Sequence, residues 1–307
     1  MMQPAYRVFA RNASAAALRF GGISWLVRNT YGRHKVGILV YHDPSPETLR
    51  AHLEWLRPRF SVIPLDTLVD ALHCGDWSAV PPKAVVLTFD DGHRGNAALT
   101  EVLRAFSAPA TFYLCSGVVD THHHFWFKEV PWARGYELIS LVNSDRVAQV
   151  TEESGWTPQR DYPERQAMNL EELRALGEVA SLEAHTRTHP VLTTCTDEEL
   201  VQEIPESRRE LEALLGRQVR HFAFPNGDYT PRVVEVVKRA GFRSARTVDF
   251  GWNGPGTDPY HLRVLGGGDG VDVTNLSALM SGLSTGVRYA IKGWSGGKKP
   301  PITPTGG

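Results

Sequence analysis

The stretch that most constrains this chain is Ala84 to Asn96, AVVLTFDDGHRGN. Ala84 to Phe89 is a short, nearly unbroken apolar run, the pattern of a strand covered on both faces and so of a parallel sheet. It stops at two adjacent carboxylates, Asp90 and Asp91, followed by Gly92, whose backbone freedom permits a sharp exit. Leu99, Val102, Leu103 and Phe106 then recur at helical spacing, so the strand leads into a helix. Acids at the carboxyl end of a buried strand, with a helix returning, stand where α/β folds carry their chemistry. Neighbouring carboxylates raise one another's pKa, and a metal cation relieves that cost. Taken on its own, Asp-Asp-Gly better suits an exposed turn.

A second stretch, Val179 to His189 (VASLEAHTRTH), again runs from a strand into polar residues. The spacing of His185 and His189 would put both on one helix face, but Pro190 disfavours helix at the residue before it. His185 is therefore expected to end the strand and His189 to lie on the following loop. As an isolated pair, such histidines are more often ordinary hydrogen-bonded residues. One Asp and two His around a divalent cation, with positions open to water, form a catalytic rather than a structural set. Alongside Asp90-Asp91, the metal reading is the stronger one.

The rest of the chain supplies a repeating strand–helix rhythm. Val36 to Tyr41 is a buried strand that delivers His42 and Asp43 to its end, and Ser45-Pro46 opens a helix. His42 falls at the same end as Asp90, which suits a substrate-binding or supporting role as well as a structural hydrogen bond. Ser61 to Leu65 is expected as a strand, with Asp66 capping a short helix that Gly75 ends. Pro109 to Ser116 is the next strand. Asn169 caps Leu170 to Leu176, and Thr196 with Glu199 forms a capping box for a helix to Leu215 that Pro205 should kink or split. Phe222 to Phe224 is a strand ending at Pro225-Asn226-Gly227; Thr230-Pro231 starts a helix closed by Gly241. Ser244 to Val248 and Leu262 to Leu265 are the last strands. Gly117 to about Met168 breaks the rhythm with Phe125, Trp126, Phe127 and Trp132, most of them expected to pack an insertion onto the barrel. His122, His123 and His124 are consecutive and cannot easily converge on one ion, so they are read as loop residues.

Composition narrows the function. A formal net charge of −1 over 307 residues gives no electrostatic case for nucleic acid. Cys74, Cys115 and Cys195 are odd in number, with no Cys-x-x-Cys, which argues against a disulfide framework or a cysteine-ligated zinc. Arg19 interrupts the apolar run of residues 1–33 before it suits a secretory signal, and no stretch reaches the roughly 18 apolar residues of a spanning helix. The expectation is a cytoplasmic protein with a membrane-surface association open through residues 1–33. Ala16 to Val27 is expected as an amphipathic helix, packed on the barrel in preference to a membrane. The tail 293–307, rich in Gly, Pro and Lys, is expected to be disordered.

The segments TFDDG (Thr88 to Gly92), HTRTHP (His185 to Pro190) and HFAFPNGDY (His221 to Tyr229) resemble three ordered motifs of the NodB-type polysaccharide deacetylases. LVYHD at Leu39 to Asp43, VIPLDTLVDAL and PATFYL resemble that family as well, and the likeness runs from about Leu39 to about Leu265. It implies an α/β fold, a single distorted (β/α) barrel of about seven parallel strands. The barrel would occupy residues 34–292, with an insertion at about 117–168 and an N-terminal helical extension at 1–33. It also implies hydrolysis of an N-acyl group, acetyl foremost, from an amino sugar in a polymer or glycoconjugate. Asp91, His185 and His189 would hold one divalent ion, zinc or else cobalt, nickel, manganese or iron, while Asp90 acts as general base. Backbone N–H groups of the Pro225-Asn226-Gly227 turn are candidates for substrate binding at the oxyanion. Two departures stand out: His261 precedes its strand where the family's late histidine, the general acid, follows an apolar run, and the third motif lacks the family's arginine before its proline. The doubtful general acid keeps one alternative in view, a carbohydrate-binding pseudoenzyme, and the basic, apolar residues 1–33 keep another, a deacylase of a lipid-linked amino sugar.

Overall fold

The computed structural model describes residues 23–282. The expectations for residues 1–22 and for the tail 293–307 lie outside the described residues. The strands are β1 (Gly37–Tyr41), β2 (Ser61–Val62), β3 (Ala84–Phe89), β4 (Thr111–Leu114), β5 (Ser181–Ala184), β6 (His221–Ala223), β7 (Ser244–Phe250), β8 (Leu262–Val264) and β9 (Gly266–Gly267). All pair in parallel in the order β8-β7-β6-β5-β4-β3-β1-β9, with β2 beside β3. The two ends of that order, β8 and β9, are joined by the single residue Leu265. The Leu265 N–H donates to Ile38 O at 2.8 Å and the Gly268 N–H to Val40 O at 2.7 Å. The sheet therefore nearly closes on itself as a distorted (β/α) barrel.

The helices are α1 (Ile23–Asn29), α2 (Pro46–Leu56), α3 (Leu65–Cys74), α4 (Leu99–Phe106), α5 (Trp132–Leu138), α6 (Asn143–Ser154), α7 (Leu170–Gly177), α8 (Asp197–Glu203), α9 (Pro205–Leu215), α10 (Pro231–Arg239) and α11 (Val273–Leu279). Side chains alternate across each strand, and the two faces enter different cores. Leu39, Tyr41, Val85, Leu87, Phe89, Phe112, Leu114, Leu182, Phe222 and Ala245 pack with leucines and valines of the surrounding helices. Ile38, Val40, Ala84, Val86, Tyr113, Ala223, Leu262 and Val264 form a second cluster whose helical members, Leu65, Leu68 and Val69, come from α3 alone. That second cluster is the barrel interior, and α3 plugs its amino end.

The plug changes the role of Asp66. The helix begins two residues earlier than expected, after Pro64, without a side-chain cap. Asp66 instead binds His221 Nε2 at 3.0 Å and Arg220 Nη2 at 2.7 Å, tying α3 to the start of β6. The expected strand Ser61 to Leu65 shrinks to β2 for the same reason, since α3 claims its last residue. The other start and stop signals act as expected. Asn169 and Thr196 form capping boxes with Glu172 and Glu199, Ser45 caps α2, Gly75 ends α3 in the left-handed region, and Pro205 splits α8 from α9. Within 117–168, Trp126, Val130, Leu138, Val150 and Trp156 make a small core of their own. No helix among the described residues is long and apolar enough to cross a membrane. Where α1 is described, Trp25 and Leu26 are exposed rather than packed on the barrel.

Candidate active site

The site is built at the carboxyl end of β3. Asp90 continues the alternation Ala84, Val86, Thr88 and so faces the barrel interior. Asp91 then turns out of the strand with φ 71, and Gly92 follows with φ 81. A Cβ on Gly92 would meet Leu114 Cδ2 at 2.8 Å, so this turn needs glycine for space as well as conformation. Thr186 and His189 also take positive φ, 69 and 59. Three non-glycine residues held in that region around one cluster is the backbone strain that functional sites store.

Asp91 lies among three buried imidazoles. Its Oδ1 is 3.5 Å from His185 Nε2 and 3.3 Å from His189 Nε2, and its Oδ2 is 3.0 Å from His93 Nε2. His185 donates its Nδ1 proton to Ala223 O at 2.8 Å, which leaves the Nε2 lone pair facing Asp91. Burial pushes both His185 and His189 below the usual histidine range, His189 to about 4, so both imidazoles are neutral. Burial opposes ionisation of Asp91 as well, but His189, His93 and His185 outweigh it and hold the carboxyl well below its ordinary value. An ionised carboxylate with two neutral imidazoles is the donor state a divalent cation requires. The carboxylate oxygen facing them, Asp91 Oδ1, is buried without a hydrogen-bond partner. Ligands about 2.0–2.1 Å from a tetrahedral zinc lie roughly 3.3–3.4 Å apart, close to the observed separations. Asp91, His185 and His189 together fit one divalent ion.

The loop carrying His189 is held from behind. Buried Glu203, on α8, accepts the N–H groups of Arg187 and Thr188, each at 2.9 Å, and the Thr188 hydroxyl at 2.6 Å. Trp126 Nε1 donates to His189 O at 2.8 Å. Phe127 meets the His189 ring edge-on with centroids 4.8 Å apart, and Phe125 meets His93 at 5.1 Å. Phe125, Trp126 and Phe127 thus pack while Trp132 stays exposed, and Phe125 and Phe127 form a wall of the site. His122, His123 and His124 bond to loop groups, as expected of loop residues.

Asp90 has one oxygen committed and one not. Its Oδ2 pairs with Arg246 Nη2 in the barrel interior, and its Oδ1 is buried without a partner. Arg246, fully buried on β7, gives Asp90 an arginine partner from the strand after the third motif, which itself lacks one before its proline. The Arg246 guanidinium also lies over the Tyr113 ring, 5.4 Å from its centroid.

His42, half-buried at the end of β1, binds Asp269 Oδ2 through Nδ1 at 2.8 Å, and its N–H donates to the same carboxylate at 2.9 Å. Burial works against its protonation, but the Asp269 hydrogen bond and the charges of Asp90, Asp91 and Asp269 raise it to about 9. His261 sits elsewhere: its Nδ1 binds Asp258 at 2.8 Å in the turn before β8, and its ring meets Tyr229. In a parallel barrel the residues after a strand reach the site end, so Asp269, beyond β9, arrives there while His261, before β8, does not. The third-motif turn is also more committed than expected. Pro225 has no N–H, the Gly227 N–H donates to Phe224 O at 2.8 Å, and the Asp228 N–H donates to Pro225 O at 3.2 Å. Only Asn226, exposed with φ 55, survives as a donor candidate there.

Sequence reasoning missed His93, Arg246, Asp269 and Glu203. An arginine at an interior-alternating position of a buried strand, and an acid inside the run GGGDG, were the signals available.

The polysaccharide deacetylase family model matches residues 78–245. Among solved structures, the deacetylase PplD from Streptococcus pyogenes in complex with acetate superposes with a TM-score of 0.58 at 17% identity, covering 81% of this chain and 99% of its own. IcaB from Ammonifex degensii gives 0.58 at 19%, covering 81% and 97%. A de-N-acetylase from Aggregatibacter actinomycetemcomitans gives 0.56 at 18%, covering 80% and 99%. At these identities the likeness shows the fold. No curated protein matches the sequence.

Proposed function

The chain belongs to the polysaccharide deacetylase family, hydrolases of amide bonds, and from that premise we propose that it is a metal-dependent enzyme removing an N-acetyl group from an amino sugar of a glycan. The observation that carries the reading is the unpartnered, buried Asp91 Oδ1 facing two neutral imidazoles, with the unpartnered Asp90 Oδ1 close by. In our reading Asp91, His185 and His189 hold the ion, zinc first, with cobalt, nickel, manganese or iron as substitutes. Held by these residues, a divalent cation would supply Lewis acidity, lowering the pKa of water towards neutrality and polarising the acyl carbonyl.

The chain's own residues divide the proton traffic. Asp90 accepts the proton of the attacking water on Oδ1, while Arg246 fixes the carboxylate through Oδ2. His42, kept protonated by Asp269, gives a proton to the amine as the carbon–nitrogen bond breaks. Each such transfer typically contributes about 10²–10⁴-fold in rate. The pseudoenzyme alternative drew its support from the doubtful general acid; His42 with Asp269 supports turnover instead. The test is acetate release from an N-acetylglucosamine oligomer, measured before and after chelation and in an Asp90→Asn variant. Release that survives either treatment would sink the assignment.

A further inference from the structure

The barrel end opposite the site carries a surface that hydrolysis does not use. A cleft of about 570 Å³ is lined by Asn29, Arg33, Arg57, Arg59, Phe60 and Lys83 among others, and no carboxylate among the described residues lines it. Arg57 Nη1 donates to Ser107 O at 3.3 Å, and Arg59 Nη1 to Trp55 O at 2.8 Å with its guanidinium 5.3 Å from the Trp55 ring centroid; among the described residues neither pairs with a carboxylate. The Lys83 N–H donates to Arg33 O at 2.8 Å, which fixes the segment after α1 along the cleft. Beside it Trp25, Leu26 and Tyr31 are 62%, 54% and 63% exposed.

The sequence sharpens the imbalance. Six of the 33 lysines and arginines precede Asp43, and none of the 34 acids does. Residues 1–22 contribute Arg7, Arg11 and Arg19 and no acid, so that segment cannot neutralise the cleft. Whatever covers this face must bring negative charge and accept exposed indole and phenol rings. Anionic phospholipid surfaces do both: they attract basic clusters, and Trp and Tyr settle at the headgroup level.

We propose that this face docks the protein on an anionic phospholipid surface. Trp25, Leu26 and Tyr31 enter the headgroup layer, and Arg33, Arg57, Arg59 and Lys83 meet the phosphates. Arg57, Arg59 and Lys83 precede β2 and β3, whereas Asp90 and Asp91 follow β3, a strand spanning roughly 20 Å. Docked this way, the site faces away from the bilayer, and the acid-rich remainder of the chain is repelled from it. Resting on the hydrolase reading, this disfavours a lipid-borne amino sugar and favours a glycan lying off the membrane.

The test is co-sedimentation of the full chain with phosphatidylcholine vesicles, with and without phosphatidylglycerol. Sedimentation is expected with phosphatidylglycerol only, weakening as salt shortens the Debye length below about 10 Å. An R57E/R59E/K83E variant and, separately, W25A/L26A should each lose about tenfold or more of the bound fraction. Both variants should keep the parent's circular dichroism and its acetate release from a soluble N-acetylglucosamine oligomer. Equal binding to neutral vesicles, binding retained after charge reversal, or binding to duplex DNA as tight as to vesicles would overturn the proposal. Suppression of soluble-oligomer turnover by phosphatidylglycerol vesicles would overturn the orientation. Docking without activity would remove the hydrolase reading and leave the docking intact; activity without docking would do the reverse.

Discussion

Replacing Arg246 with Met removes the guanidinium bonded to Asp90 while keeping an unbranched side chain against Tyr113. Asp90 would then have neither oxygen partnered, because Oδ1 has no partner already, and the residue is only 4% exposed. Removing one partner of a buried ion pair costs about 3–5 kcal/mol, since the remaining charge is neither hydrated nor paired. In a chain of this size each kcal/mol moves the melting temperature by about 2–4 °C, so R246M should melt roughly 6 to 20 °C lower. The measurement is chemical and thermal denaturation in chelator, so that no cation contributes to stability. Adding Asp90→Asn removes the stranded charge, and the D90N/R246M double variant should regain at least about 2 kcal/mol of the loss, although the double variant should be inactive. A cost below about 1 kcal/mol for R246M, or a double variant no more stable than the single, would refute the claim that this pair organises the interior.

Asp269→Asn should move the alkaline limb of the kcat profile to lower pH: in its proposed role as donor His42 must be protonated, its proton is lost above the raised value of about 9, and the substitution removes the hydrogen-bonded carboxylate that does most to raise it. An unmoved limb excludes His42 as the proton donor. His93→Phe keeps an aromatic ring beside Phe125 but removes the donor to Asp91 Oδ2, so metal affinity in competition with a chromophoric chelator should weaken about 10–100-fold. Saturating zinc should raise the stability of chelator-stripped protein by about 2.7 kcal/mol at a hundredfold excess over Kd, and an Asp91→Asn variant should show almost none of that gain. Gly268→Ala would bring a Cβ within 2.1 Å of the Tyr41 ring at the barrel seam, and denaturant titration should register a loss of about 1–3 kcal/mol.

Much of this architecture is legible in the sequence because its signals are local. The side-chain oxygens of Asn169 and Thr196 bond inside their own first turns, and Pro205 breaks its helix wherever that helix packs. Asp90-Asp91 and His185 to Pro190 are readable because the strand end, the turn and the candidate ligands are contiguous. Asp66 misled for the opposite reason. An acid near a helix start commonly caps it, but here Pro64 sets the start and the carboxylate is drawn to His221, 155 residues away. His42 could be assigned to the site end from the chain, but its acid–base character depends on Asp269, 227 residues away. That pairing becomes visible only when β9 closes against β1.

Arg246 shows the same limit at the level of strand faces. β3 is buried along its whole length, so hydrophobic pattern alone cannot say whether the face shared by Ala84, Val86 and Thr88 looks into the barrel or out to the helices. Once the interior cluster is known, parity decides it: Asp90 shares that face, and Arg246 shares the matching face of β7 with Ser244 and Val248. The two strands are not neighbours in the sheet, so the pair spans the lumen. A guanidinium reaching across a closed interior can hold a carboxylate at any strand's end, provided its own strand has the right parity. An arginine absent from the third motif can therefore be supplied from another strand without moving Asp90. A chain that departs from the family pattern at that point can thus keep the same chemistry.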